Sequence, residues 1–503
     1  MDVKAICGAI QDSDADAIIV NLFENAQPGG ATGAVDAALG GALQDLIAGG
    51  DFSGKAGQVA VLYPRGAIPA RRVIVVGLGA QDNFTLDQAR RAAAYAITKA
   101  RELKAGRVAT ILHGAGAGGL DVEAAAQAVA EASLLALYTY RGYKKTDAEN
   151  AFPNVLELCV FKEADLPAVQ RGLVTAQAIA SGVTLTRDLV NTPPNVCTPA
   201  YMAETATRLA EEVGLRVQVL EKGQMEALNM GALLGVARGS DSPPRFIILE
   251  HHSARAGELD TVVLVGKGVT FDTGGYNLKT SQGMGSMKGD MAGAAAVMGA
   301  MRAIALLDVP LHVVGLMPAA DNMISGHAYR PQEVLTASNG VTIEVSNTDA
   351  EGRLLLADAL VFAARFKPAA VVDIATLTGA CVTALGAVAA GLFSTDDTLR
   401  DRLLSAADAT AEKLWPLPLF AEYEKTIESD VADIKNSGGA ATGVGASATF
   451  LKHFVDYPAW AHIDMAGLEF EAKDNPYMPG KGATGYGVRL LTEFVRRWRP
   501  KEH

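Results

Sequence analysis

Thr261-Val262-Val263-Leu264-Val265-Gly266-Lys267-Gly268-Val269-Thr270-Phe271-Asp272-Thr273-Gly274-Gly275 decides the fold. Residues 261–265 form an apolar, largely β-branched run of strand length, and glycines and charges then interrupt it. A strand with no polar alternation is one buried on both faces, which points to a parallel sheet with helices above and below.

Working outward, the same alternation repeats. Downstream come a helix from Met291 to Leu307, a strand from Leu311 to Leu316 and a strand from Val341 to Val345. A helix from Leu354 to Phe366 and a strand from Ala369 to Ile374 follow. Upstream, a helix from Pro199 to Val213 precedes strands Leu215–Leu220 and Arg245–Glu250. The first third carries its own set. Ala17–Val20, Val59–Leu62 and Val73–Val76 read as buried strands, Leu86–Leu103 and Val122–Tyr138 as helices, and Val155–Phe161 as another strand. A helical pattern from Leu166 to about Leu189 then meets Pro193-Pro194, which cannot continue a helix. The predicted architecture is α/β, with two domains, each a mainly parallel or mixed sheet covered by helices. Residues 1–165 form the N-terminal domain, 166–195 a linker helix and boundary, and 196–503 the C-terminal domain that carries the chemistry.

The 503-residue length suits two or three domains, and 49% hydrophobic residues suffice to core them. With 44 basic against 56 acidic residues, the net charge of −12 disfavours general nucleic-acid or membrane-surface binding. Cys7, Cys159, Cys197 and Cys381 show no CxxC spacing, so they read as buried free thiols. Asp12, Asp14 and Asp16 stand where a signal peptide would be basic and apolar, so a cytoplasmic protein is expected. The weakly polar segment from Ile374 to Phe393 is rich in small residues and reads as a buried wall beside a site, not as a membrane span.

In open α/β sheets, ligands gather at the carboxyl ends of the strands. Two strand exits here are loaded with ionisable groups. One supplies Lys267, Asp272, Lys279 and Asp290; the other is Ser346-Asn347-Thr348-Asp349-Ala350-Glu351-Gly352-Arg353-Leu354. In extended backbone Asp349, Glu351 and Arg353 share one face. Carboxylates so gathered repel one another unless cations lie between them, which suggests divalent metal on oxygen ligands. Structural readings stand beside this one. Asp272 before Thr-Gly-Gly suits an Asx turn, Asp290 suits a helix N-cap, and Glu351 suits a first helical turn. The lysines and Arg353 suit ordinary ion pairs.

The second stretch also resembles a known family, the leucyl (cytosol) aminopeptidases. Asn347-Thr348-Asp349-Ala350-Glu351-Gly352-Arg353-Leu354 matches that family's signature octapeptide throughout. Val265 to Gly275, Lys279, Met287-Lys288-Gly289-Asp290-Met291, Tyr329-Arg330-Pro331 and Ala375 to Ala380 are similar to it as well. The resemblance is close over roughly residues 165 to 495, and in outline only before that.

The resemblance implies an aminopeptidase that releases N-terminal residues, with a leucine-type preference, by two-metal hydrolysis. Lys267, Asp272, Asp290, Asp349 and Glu351 are then ligands of two divalent ions, zinc or manganese. Lys279 and Arg353 are the catalytic side chains, with a bicarbonate ion at Arg353 shuttling the proton. Met287, Thr376, Leu377, Gly379 and Ala466 line the pocket for the first substrate side chain. A homohexamer acting on peptides is implied too. Thr280 departs from the proline of many relatives, which bears on loop stiffness alone.

Histidines are absent from both motifs; His251, His252, His312, His327, His453 and His462 are scattered and read as structural. That absence weakens a rival two-metal phosphoesterase. A cysteinylglycine dipeptidase is a substrate choice within the same mechanism. A secondary DNA-binding role draws no support from the charge. Gly77-Leu78-Gly79-Ala80 resembles part of a dinucleotide turn but lacks its third glycine, so a plain strand-to-loop turn is expected.

Overall fold

The computed structural model describes residues 1–144, 153–439, 442–472, 474–478 and 480–499. The chain divides into two compact units, Met1–Ala180 with Lys473–Gly480, and Ser181–Ala472 with Lys481–His503.

In the first unit, apolar runs assemble a six-stranded sheet. Its strands are β1 (Asp2–Cys7), β2 (Ala17–Phe23), β3 (Val59–Leu62), β4 (Val73–Gly79), β5 (Arg107–Ile111) and β6 (Val155–Val160), in the order β1-β6-β5-β2-β4-β3. All neighbours are parallel except β3, which pairs antiparallel with β4 at one edge. Its helices are α1 (Gly30–Ala38), α2 (Ala42–Ala48), α3 (Leu86–Glu102) and α4 (Val122–Ala136). Thr85 caps α3: its hydroxyl accepts from the Gln88 N–H, and the Gln88 side chain accepts from the Thr85 N–H.

Two expectations are corrected in this unit. β3 is half-buried along its length, because an edge strand has a single neighbour. Cys7 is exposed, while Cys159, Cys197 and Cys381 are buried and all four are free thiols. At Gly77 the glycine serves close packing, since a Cβ there would lie 2.0 Å from the Lys55 carbonyl.

The helix α5 (Leu166–Asn191) runs across the boundary between the units. The second unit then continues with α6 (Pro199–Val213), β7 (Arg216–Leu220), α7 (Lys222–Ala227), α8 (Gly231–Ala237) and β8 (Arg245–His251). After these come β9 (Thr261–Gly266), β10 (Gly268–Asp272), α9 (Ser281–Met284), α10 (Ala292–Leu306) and β11 (His312–Asn322). Next are β12 (Val334–Thr336), β13 (Thr342–Glu344), α11 (Gly352–Ala363), β14 (Ala370–Ala375), α12 (Gly379–Leu385) and β15 (Ala390–Ser394). The unit closes with α13 (Asp397–Thr410), β16 (Leu414–Pro416), β17 (Ile434–Lys435), α14 (Gly445–Lys452), β18 (Trp460–Asp464) and α15 (Val488–Arg496).

Nine strands form its main sheet, ordered β16-β15-β18-β14-β9-β11-β8-β7, with β10 beside β11. β18, β14, β9 and β11 are mutually parallel, and antiparallel pairings lie toward the edges. Every residue of β9 is buried, as a strand covered on both faces requires. One face packs against α6, α10, α13 and α15, the other against α8, α11 and α14. The stretch Met287–Leu306 is long and apolar enough to cross a membrane, but 83% of that window is buried inside the fold.

Two further readings need correction. The predicted strand at 341–345 is the short β13, and it belongs to a separate three-stranded sheet, β12-β13-β17. The segment from Ile374 to Phe393 is buried at its strand ends and at Cys381, while the rest of α12 and the loop after it are half-buried or exposed, Val382 among them. Small residues there keep a loop close to the surface of the fold and do not fill a core.

Asp358 in α11 ties this scaffold together. Its carboxylate accepts from the Leu233 N–H at 2.9 Å, in the first turn of α8, and from the Ser338 N–H at 2.7 Å. Asp358→Ala leaves the buried Leu233 N–H and the partly buried Ser338 N–H unsatisfied, a cost of about 2–4 kcal/mol. Thermal denaturation is expected to show a Tm several degrees lower, with Asp358→Asn in between; an unchanged Tm would remove Asp358 from this role.

Candidate metal centre

The parallel strands bring their carboxyl ends to one edge. Lys267 follows β9, Asp272 ends β10, Asn322 ends β11, Thr376 follows β14 and Asp464 ends β18. The octapeptide loop 347–354 arrives from the small sheet and enters α11.

Lys267 lies at the middle, 2% exposed. Its Nζ is 2.7 Å from Asp290 Oδ1 and 3.0 Å from Glu351 Oε1, and it donates to the Thr376 carbonyl at 2.9 Å. The chain makes room for that side chain with glycine: a Cβ at Gly352 would lie 2.5 Å from Lys267 Cε. Lys279 bridges the second pair, with Nζ 2.8 Å from Asp272 Oδ2 and 2.7 Å from Asp349 Oδ1. The two sequence motifs therefore meet, each lysine joining one carboxylate of the first motif to one of the second.

Asp272, Asp290 and Glu351 are all buried, and each offers an oxygen within 4.8 Å of the others. Asp290 Oδ2 and Glu351 Oε2 are buried without a hydrogen-bond partner. An unpaired buried carboxylate oxygen is costly, so this donor set fits a hard cation. Burial raises the pKa of Asp272 and of Asp290, while the lysines partly offset it. Burial acts on Glu351 in the same sense, but Lys267 and Lys279 outweigh it and keep Glu351 ionised. Burial favours neutral amines at Lys267 and Lys279, yet the carboxylates around them raise both pKa values.

The structural alternatives resolve individually. Asp272 does make an Asx turn, its Oδ1 accepting from the Gly274 N–H at 2.8 Å, and its second oxygen still faces Lys279. Asp290 is not the N-cap of α10; Met291 holds that position, without a side-chain cap. Glu351 is the N-cap residue of α11 in αR backbone and makes no capping bond with its side chain.

Asp349, Glu351 and Arg353 do not share a face, because the backbone turns helical at Glu351 and sends the three side chains to different partners. Arg353 donates from Nη1 to the Asn436 carbonyl at 2.8 Å, and its Nε is buried without a partner. Burial pushes its pKa down to about 10, against the pull of Glu351 and Asp464. Such a guanidinium suits an anion.

Met287, Thr376, Leu377 and Ala466 are half-buried and Gly379 is exposed. A residue outside the expected set holds part of this segment in place. Asp464 is fully buried and its Oδ1 accepts from the N–H groups of Leu377 (3.1 Å) and Ala466 (3.3 Å), while Oδ2 accepts from the Thr378 hydroxyl at 2.7 Å. Asn322 lies outside that set as well. Its Nδ2 donates to Asp272 Oδ1 at 2.8 Å and to the Thr348 carbonyl at 3.0 Å, locking one motif to the other. A third and a fourth strand exit ending in a polar residue, His462-Ile463-Asp464 and Ala320-Asp321-Asn322, were the available signals.

A model of the cytosol aminopeptidase family's catalytic domain matches residues 184–492, and one of its N-terminal domain matches residues 19–147. A probable cytosol aminopeptidase of Geobacter sp. is 45% identical over 488 residues, 96% of each chain. The cytosol aminopeptidase of Pseudomonas aeruginosa is 42% identical over 479 residues, 95% of this chain and 96% of that one. Among solved structures, a tomato leucine aminopeptidase variant superposes with a TM-score of 0.88 at 34% identity, covering 99% of this chain and 96% of that one. The bottromycin maturation enzyme BotP in complex with Mn gives 0.84 at 35% identity, covering 96% and 99%.

Asn322→Ala frees the Asp272 carboxylate from its orienting amide. Titration with Mn²⁺ is expected to show affinity weakened by about 10–100-fold, with circular dichroism unchanged. Wild-type affinity in the variant would show that the amide does not position the ligand set.

Proposed function

The chain belongs to the cytosol aminopeptidase family and is a metal-dependent aminopeptidase; on that premise we propose how its residues divide the work. Catalysis falls to residues 196–503, which hold the whole carboxylate cluster, with 1–165 as a separate N-terminal domain and the intervening helix as their link.

Two divalent ions, zinc or manganese, are held by Lys267, Asp272, Asp290, Asp349 and Glu351. The observation that carries this reading is the buried cluster itself, with oxygens of Asp290 and Glu351 left unpaired. The manganese named with the bottromycin enzyme supports the type of ion. When bound, such ions supply a water of lowered pKa and polarise a carbonyl.

The side chains do the rest. Lys267 must give up its proton to act as a ligand, and positive charge close by favours the neutral amine. Lys279 is only partly buried, and the carboxylates of Asp272 and Asp349 beside it favour its ammonium form. It stabilises the negative charge that develops on the scissile carbonyl oxygen. Arg353, with its Nε unpaired, holds a small planar anion such as bicarbonate. Met287, Thr376, Leu377, Gly379 and Ala466 receive the first side chain of the peptide, with a leucine-type preference. A free α-amine suits the acidic cluster and a blocked one does not, which accounts for cleavage at the N-terminus. The family resemblance adds a homohexamer and a cytoplasmic setting, the latter in keeping with the name cytosol aminopeptidase borne by relatives.

Lys279→Ala is expected to lower kcat on a leucyl anilide by about 10²–10³-fold while metal content, measured by mass spectrometry, stays at the wild-type level. An unchanged kcat would take Lys279 out of the reaction. Chelation is expected to abolish hydrolysis and added Mn²⁺ or Zn²⁺ to restore it, and N-acetylation of the substrate to prevent it. Full activity in metal-free protein, or fast cleavage of the acetylated peptide, would contradict the proposal.

A further inference from the structure

The N-terminal unit contains a cavity of about 910 Å³. It is lined by residues at or just after the carboxyl ends of β1, β2, β5 and β6, and by Gln81 beyond the end of β4. Those five are the parallel strands of that sheet. The chain leaves β2 toward β4 on one side and returns to β5 on the other, so strand order reverses between β2 and β5. Open α/β sheets bind ligands at such a reversal.

The lining has two chemical halves. Ile10, Leu22, Phe23 and Ile111 make an apolar wall, and Phe161 stands at it 83% exposed. An aromatic ring so exposed is not explained by the core and offers a flat face for stacking. Opposite in character are two glycine-rich stretches. Gly29 and Gly30 open α1, and Gly29, its N-cap, supplies no side chain to the first-turn N–H groups. The loop Gly114-Ala115-Gly116-Ala117-Gly118 is pinned by the Gln81 side chain, which donates to the Ala117 carbonyl at 2.8 Å. Lys162 also lines the cavity, and Asp165 is the one carboxylate among the lining residues. Asn21 adds a polar group fixed in place, its Nδ2 lying 2.9 Å from Nδ1 of the buried His113.

We propose that this cavity binds a nucleoside diphosphate. The base packs on Phe161 and the apolar wall, and the diphosphate meets the uncapped start of α1 and the glycine loop, where backbone N–H groups approach an anion without a Cβ between. Nothing in the aminopeptidase chemistry uses these residues. The site is therefore a second, non-catalytic binding function in the same chain.

Calorimetric titration of the full chain with ADP tests this, with adenosine and inorganic pyrophosphate as separate arms. ADP is expected to bind one per chain with Kd below about 1 mM, and each part alone more weakly. Ala34→Asp places a carboxylate at an exposed position of α1 that lines the cavity, and is expected to weaken ADP binding roughly tenfold or more through repulsion. Phe161→Ala is expected to weaken it as well, and both variants to hydrolyse leucyl anilide at the wild-type rate. No heat at several times that ADP concentration overturns the proposal. So does ADP binding untouched by both variants, or adenosine binding as tightly as ADP.

Discussion

Four carboxylates held against two lysines are the constraint on which the catalytic unit depends. With Asp272, Asp290, Asp349 and Glu351 ionised and both ammonium groups charged, two negative charges remain in a largely buried site. Asp290 Oδ2 and Glu351 Oε2 are buried without a hydrogen-bond donor. Isolated, such an arrangement works against folding, because ionised groups removed from water demand paired charge. Helix ends offset part of the cost: Asp290 lies just before α10 and Glu351 just before α11, where the positive ends of the helix dipoles favour an anion. The remaining imbalance favours a bound cation, so the site's charge defect and its metal dependence share one cause.

Close packing makes the arrangement possible. α10 lies so near the sheet that a Cβ at Gly293 would be 2.2 Å from the Ile374 carbonyl, and the same proximity sets Asp290 beside Lys267. Thr348 couples the motifs from the other side. Its hydroxyl donates to the Gly274 carbonyl at 2.6 Å, and its N–H donates to Asn277 Oδ1 at 2.8 Å. Tyr329 adds a hydroxyl donated to the Thr348 carbonyl at 2.7 Å. Ligand geometry here is a property of backbone approach and of uncharged side chains as much as of the acids themselves.

Much of this was legible before the structure, and for identifiable reasons. Apolar runs such as 262–265, and 370–375 with the single charge of Asp373, have one stable use in a covered sheet, so the central strands followed from pattern alone. The charged turns stood out because four carboxylates and three cationic side chains converge on two strand exits. What stayed hidden depends on tertiary partners. β1 mixes charged and apolar residues, and its pairing with β6 is made across more than a hundred residues. The 349–353 stretch read as extended because alternation looks the same in sequence whether or not a helix begins inside it. Asp464 and Asn322 act by orienting other residues, and a residue that positions another leaves no local spacing to read. The cavity of the N-terminal unit was equally invisible, since its lining comes from five separate strand ends.

Anomalous diffraction from crystals grown with Mn²⁺ measures the central claim most directly. Two manganese peaks are expected among the oxygens of Asp272, Asp290, Asp349 and Glu351, with Lys267 Nζ turned onto one of them. A map with no anomalous density there, and Lys267 still paired with Asp290 and Glu351, would contradict it.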